Sequence, residues 1–381
     1  MNKITLYFCQ SLPEDIPYCR ISKLLLDQAV SNGDSVTYVT YKKDKEKQQK
    51  EYPNIKLAFF PSFFKNKTLS YFCFSIFSFF HALLFVDGKV IIPSTPPVFL
   101  VFFISLAKRI KKNKIEIIYH VQDVHPEAML YSKNKINRKL YDLLIAIDTF
   151  SLKAVDKIIV LSNDMKKVLS KRVDSNKIYI CNNPIHSISV KNTSSDFFKE
   201  SDSYIKFIFS GNVGNFQNLL PLVKAFNAIE HEKAKFFILG DGDDMPTIRE
   251  YLINNDSGKV ILLGKVNSQE ADNIVSLADV GVVSLSPGML GVAFPSKVLA
   301  YMSLGLPIFG FFDDNSELSD FLRKYNIGSS QSCENESRLI STINNMINNI
   351  NNYDASAIKE LSNNMFSEKL ISTEFYKIVY E

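Results

Sequence analysis

Short apolar segments alternate with amphipathic helical segments along the whole chain of 381 residues. The apolar segments have the length and composition of β-strands. In the first half they read ITLYFC, SVTYVTY, KVIIP, IEIIYHV, KIIVLS and KIYICNN, and in the second half KFIFSG, KFFILG, KVILLG, VGVVSLS and LPIFGFF. Helical spacing fills the intervals, as it does over residues 21–31 and 141–152. This alternation is typical of parallel βαβ units, and it predicts an α/β fold.

A polar segment over residues 187–203 divides this pattern into two halves. The chain length also favours two domains, since a domain has roughly 100 to 200 residues. We therefore predict two doubly wound, Rossmann-like domains, 1–188 and 189–366, with a ligand-binding cleft between the carboxyl ends of their sheets. A last helical segment over 367–381 could pack back on the first domain.

The five cysteines are scattered and odd in number, with no C-x-x-C pair to suggest zinc or a disulfide framework. This use of cysteine predicts a reducing, cytoplasmic location. The first ten residues, MNKITLYFCQ, lack the features of a signal peptide, so no secretion is expected.

The net charge of +4 is divided unevenly between the two halves. Residues 1–195 contain 29 Lys and Arg against 16 Asp and Glu, a net of +13, whereas residues 196–381 contain 15 against 24, a net of −9. A basic half suggests an anionic partner, such as phospholipid headgroups, a lipid diphosphate or nucleic acid. A solvated basic surface is the alternative.

Two apolar segments bear on a membrane partner. The segment from Leu69 to Val86 contains His81 and is followed by Asp87, which favours a buried or interfacial helix over a membrane span. The segment VFLVFFISLAKRIKKNK ends in a basic cluster, Lys108, Arg109, Lys111, Lys112 and Lys114. This layout suits a helix beside an anionic bilayer, so we predict peripheral attachment to the inner face of the cell membrane.

Two glycine-rich loops follow strands in the second half. In the first, Gly211 to Gln217, small residues between a strand and a helix let backbone N–H groups approach a phosphate, although a plain tight turn needs the same glycines. The second, Gly240 to Asp244, contains a D-x-D pattern that could bind a metal. Pro246 in the next helical turn and an aspartate suited to cap that helix favour a structural turn instead, so no metal site is expected.

A third loop runs from Ser286 to Lys297 (SPGMLGVAFPSK). Lys297 falls in the first turn of the following helix, where a cation is unfavourable by up to about 1 kcal/mol. An anion held there would reverse the penalty, which favours a diphosphate ligand over a solvated lysine.

A fourth candidate, Tyr119 to Glu127 (YHVQDVHPE), holds two histidines and two acids at the end of a strand. These residue types serve as metal ligands or as acid/base groups. Strand alternation places His120 and Gln122 on one face and Asp123 and His125 on the other, which argues against joint metal ligation. Asp123 and His125 could share a face toward the cleft; capping of the next helix is the alternative.

In this order and spacing, the four loops resemble glycosyltransferase family 4, a large family of bacterial retaining sugar transferases with the GT-B fold. The resemblance covers nearly the whole chain. It is strongest in the motifs G-N-x-G-x-x-Q, L-G-D-G, L-L-G-K-V, A-D-V-G-V-V, P-S-K and Y-M-x-x-G-x-P. In the first half, V-Q-D-V-H-P-E is similar to the V-Q-D-hydrophobic-W-P-E segment of the subgroup that builds capsule, O-antigen and exopolysaccharide, with His125 where an aromatic residue is usual.

The resemblance implies a role for each loop. The first loop would contact the donor diphosphate, the backbone of Val266 would hold the nucleotide base, and Lys297 would neutralise the diphosphate. The donor-binding residues implied are Gly211, Asn212, Gly214, Gln217, Gly240, Asp241, Gly242, Val266, Gly288, Met289, Leu290, Gly291, Pro295 and Ser296. The catalytic candidates are Asp123, His125, Glu127 and Lys297, with Asp123 or Glu127 assisting the acceptor hydroxyl.

The chain departs from the family at the E-x7-E pattern, whose second glutamate grips the ribose. Val292 and Ala300 stand at the two positions. Asn212 and Gln217 also replace the Arg and Lys that many relatives have in the first loop, which makes Lys297 the more necessary cation. Ribose recognition by other groups, low donor affinity and loss of activity all remain open.

The resemblance implies transfer of a hexose or N-acetylhexosamine, with retention, from a UDP-sugar donor to a lipid-diphosphate-linked saccharide. Neither a cofactor nor a metal is expected, and no nucleic-acid partner. A UDP-sugar epimerase of the same fold is one alternative. A non-catalytic subunit that binds sugar nucleotides is another.

Overall fold

The computed structural model describes residues 2–8, 17–41, 49–50, 52–61, 66–93, 99–131, 136–185, 204–231 and 234–381. The predicted domain boundary at 188/189 and the polar segment 187–203 lie outside the described residues.

The first domain is a parallel sheet of seven strands with an apolar core on each face. In chain order the strands are β1 (Lys3–Tyr7), β2 (Ser35–Tyr41), β3 (Lys56–Phe60), β4 (Gly88–Pro93), β5 (Ile115–His120), β6 (Lys157–Val160) and β7 (Ile178–Ile180). They lie in the order β3-β2-β1-β4-β5-β6-β7. The helices are α1 (Pro17–Ser31), α2 (Lys67–Phe85), α3 (Leu100–Ile110), α4 (Arg138–Ala154) and α5 (Asn163–Leu169).

The second domain repeats this plan with six parallel strands in the order β10-β9-β8-β11-β12-β13. The strands are β8 (Ile205–Ser210), β9 (Ala234–Leu239), β10 (Val260–Gly264), β11 (Val280–Ser284), β12 (Ile308–Phe312) and β13 (Gly328–Ser332). The helices are α6 (Leu220–Ala228), α7 (Met245–Asn255), α8 (Ser268–Val275), α9 (Lys297–Leu304), α10 (Glu317–Lys324), α11 (Leu339–Asn348) and α12 (Ala355–Phe366). The predicted class, α/β with two doubly wound parallel sheets, is therefore confirmed.

A glycine in β11 brings helix α9 close to the second sheet. A Cβ on Gly281 would lie 2.3 Å from Cγ of Tyr301, so only glycine leaves room for this ring. The hydroxyl of Tyr301 accepts a hydrogen bond of 3.1 Å from the backbone N–H of Ser210, the last residue of β8. This contact fixes the start of α9, and with it Lys297, beside the loop that follows β8.

The chain ends on the first domain, where the last helix, α13 (Glu368–Tyr380), packs against α1. Phe375 and Val379 are buried in the same cluster as Leu25. Lys157 donates a hydrogen bond of 2.9 Å to the carbonyl of Ile378, and the packing places α13 beside β6 as well.

Two helix N-termini meet between the domains and exchange hydrogen bonds. The Glu317 carboxylate accepts hydrogen bonds from the backbone N–H and side-chain amide of Asn163, at 2.5 and 2.7 Å. The Asp164 carboxylate accepts one of 2.7 Å from the backbone N–H of Glu317. The N-caps of the two helices, Ser162 and Ser316, lie within their own domains, and each acid adds an acceptor for the first N–H group of the helix across the interface.

Candidate active site

A cavity of about 580 Å³ opens between the two domains at the carboxyl ends of the sheets. The predicted residues that line it are Asp123, His125, Gln217, Met289, Pro295, Ser296 and Lys297. The two halves of the sequence therefore meet around one space, at the position where open α/β folds bind ligands.

Backbone pairing across the domains fixes the geometry of this cavity. Asp123 forms an antiparallel bridge with Ala293, and the N–H of Val124 donates a hydrogen bond of 2.7 Å to the carbonyl of Val292. The segment after β5 is thereby held against the loop that leads into α9. The Asp123 side chain consequently faces the same cavity as Lys297.

Asp123 and His125 are partly buried side by side in the cavity wall. Burial raises the pKa of Asp123, and the neighbouring His125 opposes this shift. Burial lowers the pKa of His125, and the carboxylates of Asp123 and Glu127 oppose that shift. The buried Nδ1 of His125 has no hydrogen-bond partner among the described residues. The pair thus offers a carboxyl and a neutral imidazole to a polar ligand.

Glu127 was predicted to assist the acceptor hydroxyl, but it lies outside the cavity. Its carboxylate forms an ion pair with Arg172, with Nε–Oε1 and Nη2–Oε2 distances of 3.0 and 3.2 Å, and it does not line the cavity. Arg172 also binds Asp148 at 2.6 Å and reaches the carbonyl of His125 at 3.5 Å. This geometry suits a group that positions the His125 segment, and it does not suit a base acting on an acceptor.

The two glycine-rich loops of the second domain are in direct backbone contact with each other. Gly211 and Val213 donate backbone hydrogen bonds to the carbonyls of Leu239 and Asp241, at 2.8 and 2.9 Å. A Cβ on Gly240 would lie 1.8 Å from the carbonyl oxygen of Gly211. Glycine is therefore required at residue 240 by the approach of two backbones.

Two more residues of these loops have structural contacts. Gln217 accepts a hydrogen bond of 3.1 Å from the N–H of Gly214 and so closes the first loop on itself. A Cβ on Gly242 would lie 2.4 Å from the carbonyl oxygen of Val213. These contacts pack the two loops tightly against each other.

A second cavity, of about 540 Å³, lies between the loops that follow β8, β9 and β10. Its predicted lining residues are Gly211, Asn212, Gly240, Asp241, Gly242 and Val266. Lys265 also lines it. The first glycine loop borders both cavities, since Gly211 and Asn212 line the second cavity and Gln217 lines the cleft.

Lys297 stands where the two cavities approach each other. A Cβ on Gly211 would lie 3.2 Å from its Nζ, and Nζ also lies 4.6 Å from the centre of the Phe209 ring. Burial lowers the pKa of Lys297 to about 8. An anion bound at the first glycine loop would lie within reach of this ammonium group and would favour its charged form.

The loop from Gly288 to Gly291 contacts the first domain more than it borders the cavity. The N–H of Gly288 donates to both carboxylate oxygens of Asp313 at 3.0 Å, and a Cβ there would lie 2.3 Å from the hydroxyl of Tyr131. A Cβ on Gly291 would lie 2.9 Å from Cγ2 of Val168. Of this loop, Met289 lines the cleft and Leu290 borders a separate cavity between the domains. The place of Gly288, Leu290 and Gly291 near a donor sugar stays a prediction.

The turn from Asp241 to Asp244 is organised by backbone contacts. Asp241 accepts a hydrogen bond of 2.9 Å from the N–H of Gly242, and the N–H of Asp244 donates to Val213. Within the described residues, no group of three or more His, Cys, Asp and Glu side chains is arranged to hold a metal ion.

Three comparisons with known proteins bear on this site. Residues 205–324 match the family model described as Glycosyl transferases group 1, and this range contains the first glycine loop, the second cavity and Lys297. A probable glycosyltransferase of Pseudomonas aeruginosa, WbjE, is 24% identical over 251 residues, which cover 63% of this chain. The match spans only 62% of that relative's length.

Solved structures share the fold over the full chain. HepE of Anabaena in complex with UDP-glucose aligns with a TM-score of 0.71 at 13% identity, covering 100% of both chains. Sucrose-phosphate synthase of Thermosynechococcus elongatus aligns with a TM-score of 0.74 at 12% identity, covering 100% of this chain and 98% of the other. Two facing Rossmann-like domains with these neighbours define the GT-B fold.

Proposed function

We propose that the protein is a glycosyltransferase that uses a UDP-sugar donor. The observation that carries the proposal is the position of Lys297, at the first glycine loop and between the two cavities. The nucleotide base would occupy the second cavity, the diphosphate would lie at the first loop, and the sugar would enter the cleft. The match to group 1 glycosyl transferases and the UDP-glucose complex of HepE support this arrangement.

In the proposed reaction the bond between the anomeric carbon and the diphosphate breaks, and the acceptor hydroxyl forms the new bond to that carbon. Negative charge develops on the leaving diphosphate, where the ammonium group of Lys297 would stabilise it. With retention of configuration, as proposed here, the leaving diphosphate itself takes the proton of the acceptor hydroxyl. Asp123 would orient that hydroxyl from the cavity wall. Neither a metal nor another cofactor is included in the proposal.

The proposed acceptor is a saccharide linked to a lipid diphosphate, and the proposed place is the cytoplasmic face of the cell membrane. The basic first half, with a net charge of +13 over residues 1–195, supports an anionic surface as partner. A hexose or N-acetylhexosamine as the sugar, and capsule or O-antigen assembly as the process, complete the proposal. WbjE, a probable glycosyltransferase, is consistent with the transfer itself.

The test is a thermal-shift screen of UDP-, GDP- and ADP-sugars, followed by detection of UDP release with and without a polyprenyl-diphosphate saccharide. A ligand at about 100 times its dissociation constant stabilises the fold by roughly 2.7 kcal/mol. We expect stabilisation by a UDP-sugar and acceptor-dependent release of UDP. Isomerisation of the donor without an acceptor would identify an epimerase, and binding without turnover would identify a non-catalytic subunit.

A further inference from the structure

The outer side of helix α2 is apolar and open to solvent. Its inner side is buried in the core of the first domain, where Phe74 and Ala82 are fully enclosed. On the outer side Phe80, Leu84 and Phe85 are exposed by 54%, 67% and 70%. By length and composition, the segment Thr68–Phe85 could cross a membrane, with a mean hydropathy of 1.6. Because one side is committed to the core, the helix lies along the domain surface and presents its other side outward.

Ring contacts continue this apolar side across two more helices. Phe80 contacts Phe79 at a centroid distance of 5.1 Å, and Phe79 contacts Phe103 of α3 at 6.4 Å. Phe103 contacts Phe102 at 5.5 Å, and Phe102 contacts Phe150 of α4 at 6.0 Å. We call this surface of α2, α3 and α4 the aromatic platform. Its exposed apolar members are Leu69, Phe72, Phe80, Leu84, Phe85, Ile110, Leu140 and Leu143.

The aromatic platform extends along α4 to the mouth of the cleft. Phe150, Ile147, Leu143 and Leu140 follow one another at helical spacing and so share one face of the helix. At 1.5 Å per residue they span about 15 Å. Just before the helix, Ile136 lines the cavity that also contains Asp123 and Lys297. The apolar surface and the candidate active site are therefore neighbours.

Cations stand at the edge of the aromatic platform. The guanidinium of Arg109 lies 3.8 Å over the ring of Phe150, and Lys112 and Lys114 are exposed beyond the end of α3. The exposed acid on α4 is Asp142, next to Leu143. A second copy of the chain would bring one basic face against another, whereas an anionic bilayer complements both the apolar centre and the basic edge.

The basic cluster predicted from sequence, residues 108–114, offers fewer unpaired cations to a bilayer than expected. Lys108 is buried and forms an ion pair with Asp156 at 2.6 Å, and Lys111 forms one with Asp87 at 2.9 Å. Two of the five predicted cations thus have acidic partners within the chain. Charge alone is a weak basis for attachment, and the exposed phenyl groups are the stronger one.

We propose that the aromatic platform inserts its outer side chains into the headgroup region of an anionic bilayer. Attachment is then mainly apolar, with the basic edge contacting lipid phosphates, and it survives high salt in part. The orientation brings Ile136 and the cleft mouth to the bilayer surface. This last consequence rests on the proposed function, in which the acceptor is lipid-linked; the insertion itself does not.

The chain contains no tryptophan, so a single introduced tryptophan is a clean fluorescent reporter. We would place one at Phe80→Trp on the aromatic platform and one at Ile253→Trp on α7 of the second domain, where the isoleucine is 82% exposed. With vesicles that contain phosphatidylglycerol, Phe80→Trp should shift to shorter wavelength and be quenched by brominated acyl chains. Ile253→Trp should do neither. Equal responses of the two reporters, or none from Phe80→Trp, would overturn the proposal.

Vesicle flotation gives the second measurement. The triple variant Phe80→Ser, Leu84→Ser, Phe85→Ser should bind such vesicles about tenfold less or weaker still, and Ile253→Ser should bind like the wild type. Wild-type binding that disappears entirely in 1 M salt contradicts insertion. A triple variant that still floats with the vesicles also contradicts it. The same holds if the wild type does not bind vesicles but forms a concentration-dependent dimer that the triple substitution dissociates. UDP affinity of the triple variant, expected to be unchanged, separates a failure of insertion from a failure of the proposed function.

Discussion

The charge of Lys297 should couple nucleotide binding to pH. Burial lowers its pKa to about 8 in the free protein, whereas the ordinary value is 10.5. A diphosphate beside Nζ favours the charged form and raises the pKa again. At pH 7 the lysine is about nine tenths charged, so its titration should scarcely change the affinity for UDP at lower pH. As the pH rises from 7 through 8, binding must be accompanied by increasing proton uptake, and affinity should fall.

The size of the effect follows from the two protonation states. With a pKa of about 8 in the free protein, about one tenth of the lysine is charged at pH 9. The affinity for UDP should therefore fall about tenfold between pH 7 and pH 9, which corresponds to about 1.4 kcal/mol. Calorimetry in buffers of different ionisation enthalpy should detect uptake of close to one proton at pH 9 and almost none at pH 7.

Two variants provide the controls. Lys297→Arg keeps its charge through this range, so the pH dependence assigned to Lys297 should vanish and any remaining slope reports titration of UDP itself. Lys297→Ala should bind UDP weakly without the pH step and should lower turnover about a hundredfold. If the affinity of Lys297→Ala for UDP falls between pH 7 and pH 9 as much as that of the wild type, another group titrates and Lys297 does not contact the diphosphate.

Three further predictions concern the glycine loops, the metal and acid stability. Gly240→Ala should unfold the protein or abolish UDP binding, since its Cβ would overlap the Gly211 carbonyl. Gly258 also has a positive φ, of 71°, but has open space around it, so Gly258→Ala should cost only about 1 kcal/mol in urea unfolding. UDP affinity and turnover should survive excess EDTA; a loss restored by Mg²⁺ would make the turn from Asp241 to Asp244 a metal site. Burial lowers the pKa of His120 to about 3, below its usual 6.5, so the unfolded chain binds a proton that the folded one does not, and stability should fall as pH drops below 6.5. His120→Asn should reduce that fall in urea midpoint between pH 7 and pH 5; an unchanged fall would assign it to other groups.

The buried strands could be predicted from sequence because they are continuous apolar runs. Two edge strands gave weaker signals. β13 reads GSSQS, a polar segment whose strand conformation depends on pairing with β12, and β3 reads KLAFF and pairs on one side with β2. The helix α2 was predicted as buried or interfacial. Its inner side is buried, and its outer side is apolar and exposed.

The candidate site was predictable where a local motif carries it and hidden where distant residues meet. The first glycine loop and Lys297 each follow a strand in a recognisable pattern. Arg172 and Asp313 had no local signal, because their partners lie far away in sequence: Arg172 binds Glu127 and Asp148, and Asp313 binds the N–H of Gly288. Only the folded chain shows that these groups hold the walls of the cleft.

The paired acids Asp164 and Glu317 limit how this protein can exchange halves with its relatives. GT-B proteins consist of two units that look interchangeable, one for each substrate in the reaction proposed here. In this chain each unit supplies a carboxylate acceptor to the first N–H group of a helix in the other, so a chimaera built with only one of the two acids loses a hydrogen bond across the interface, at a cost of about 1 kcal/mol. Recombination between relatives should therefore succeed most often where both acids come from the same parent or where both are replaced.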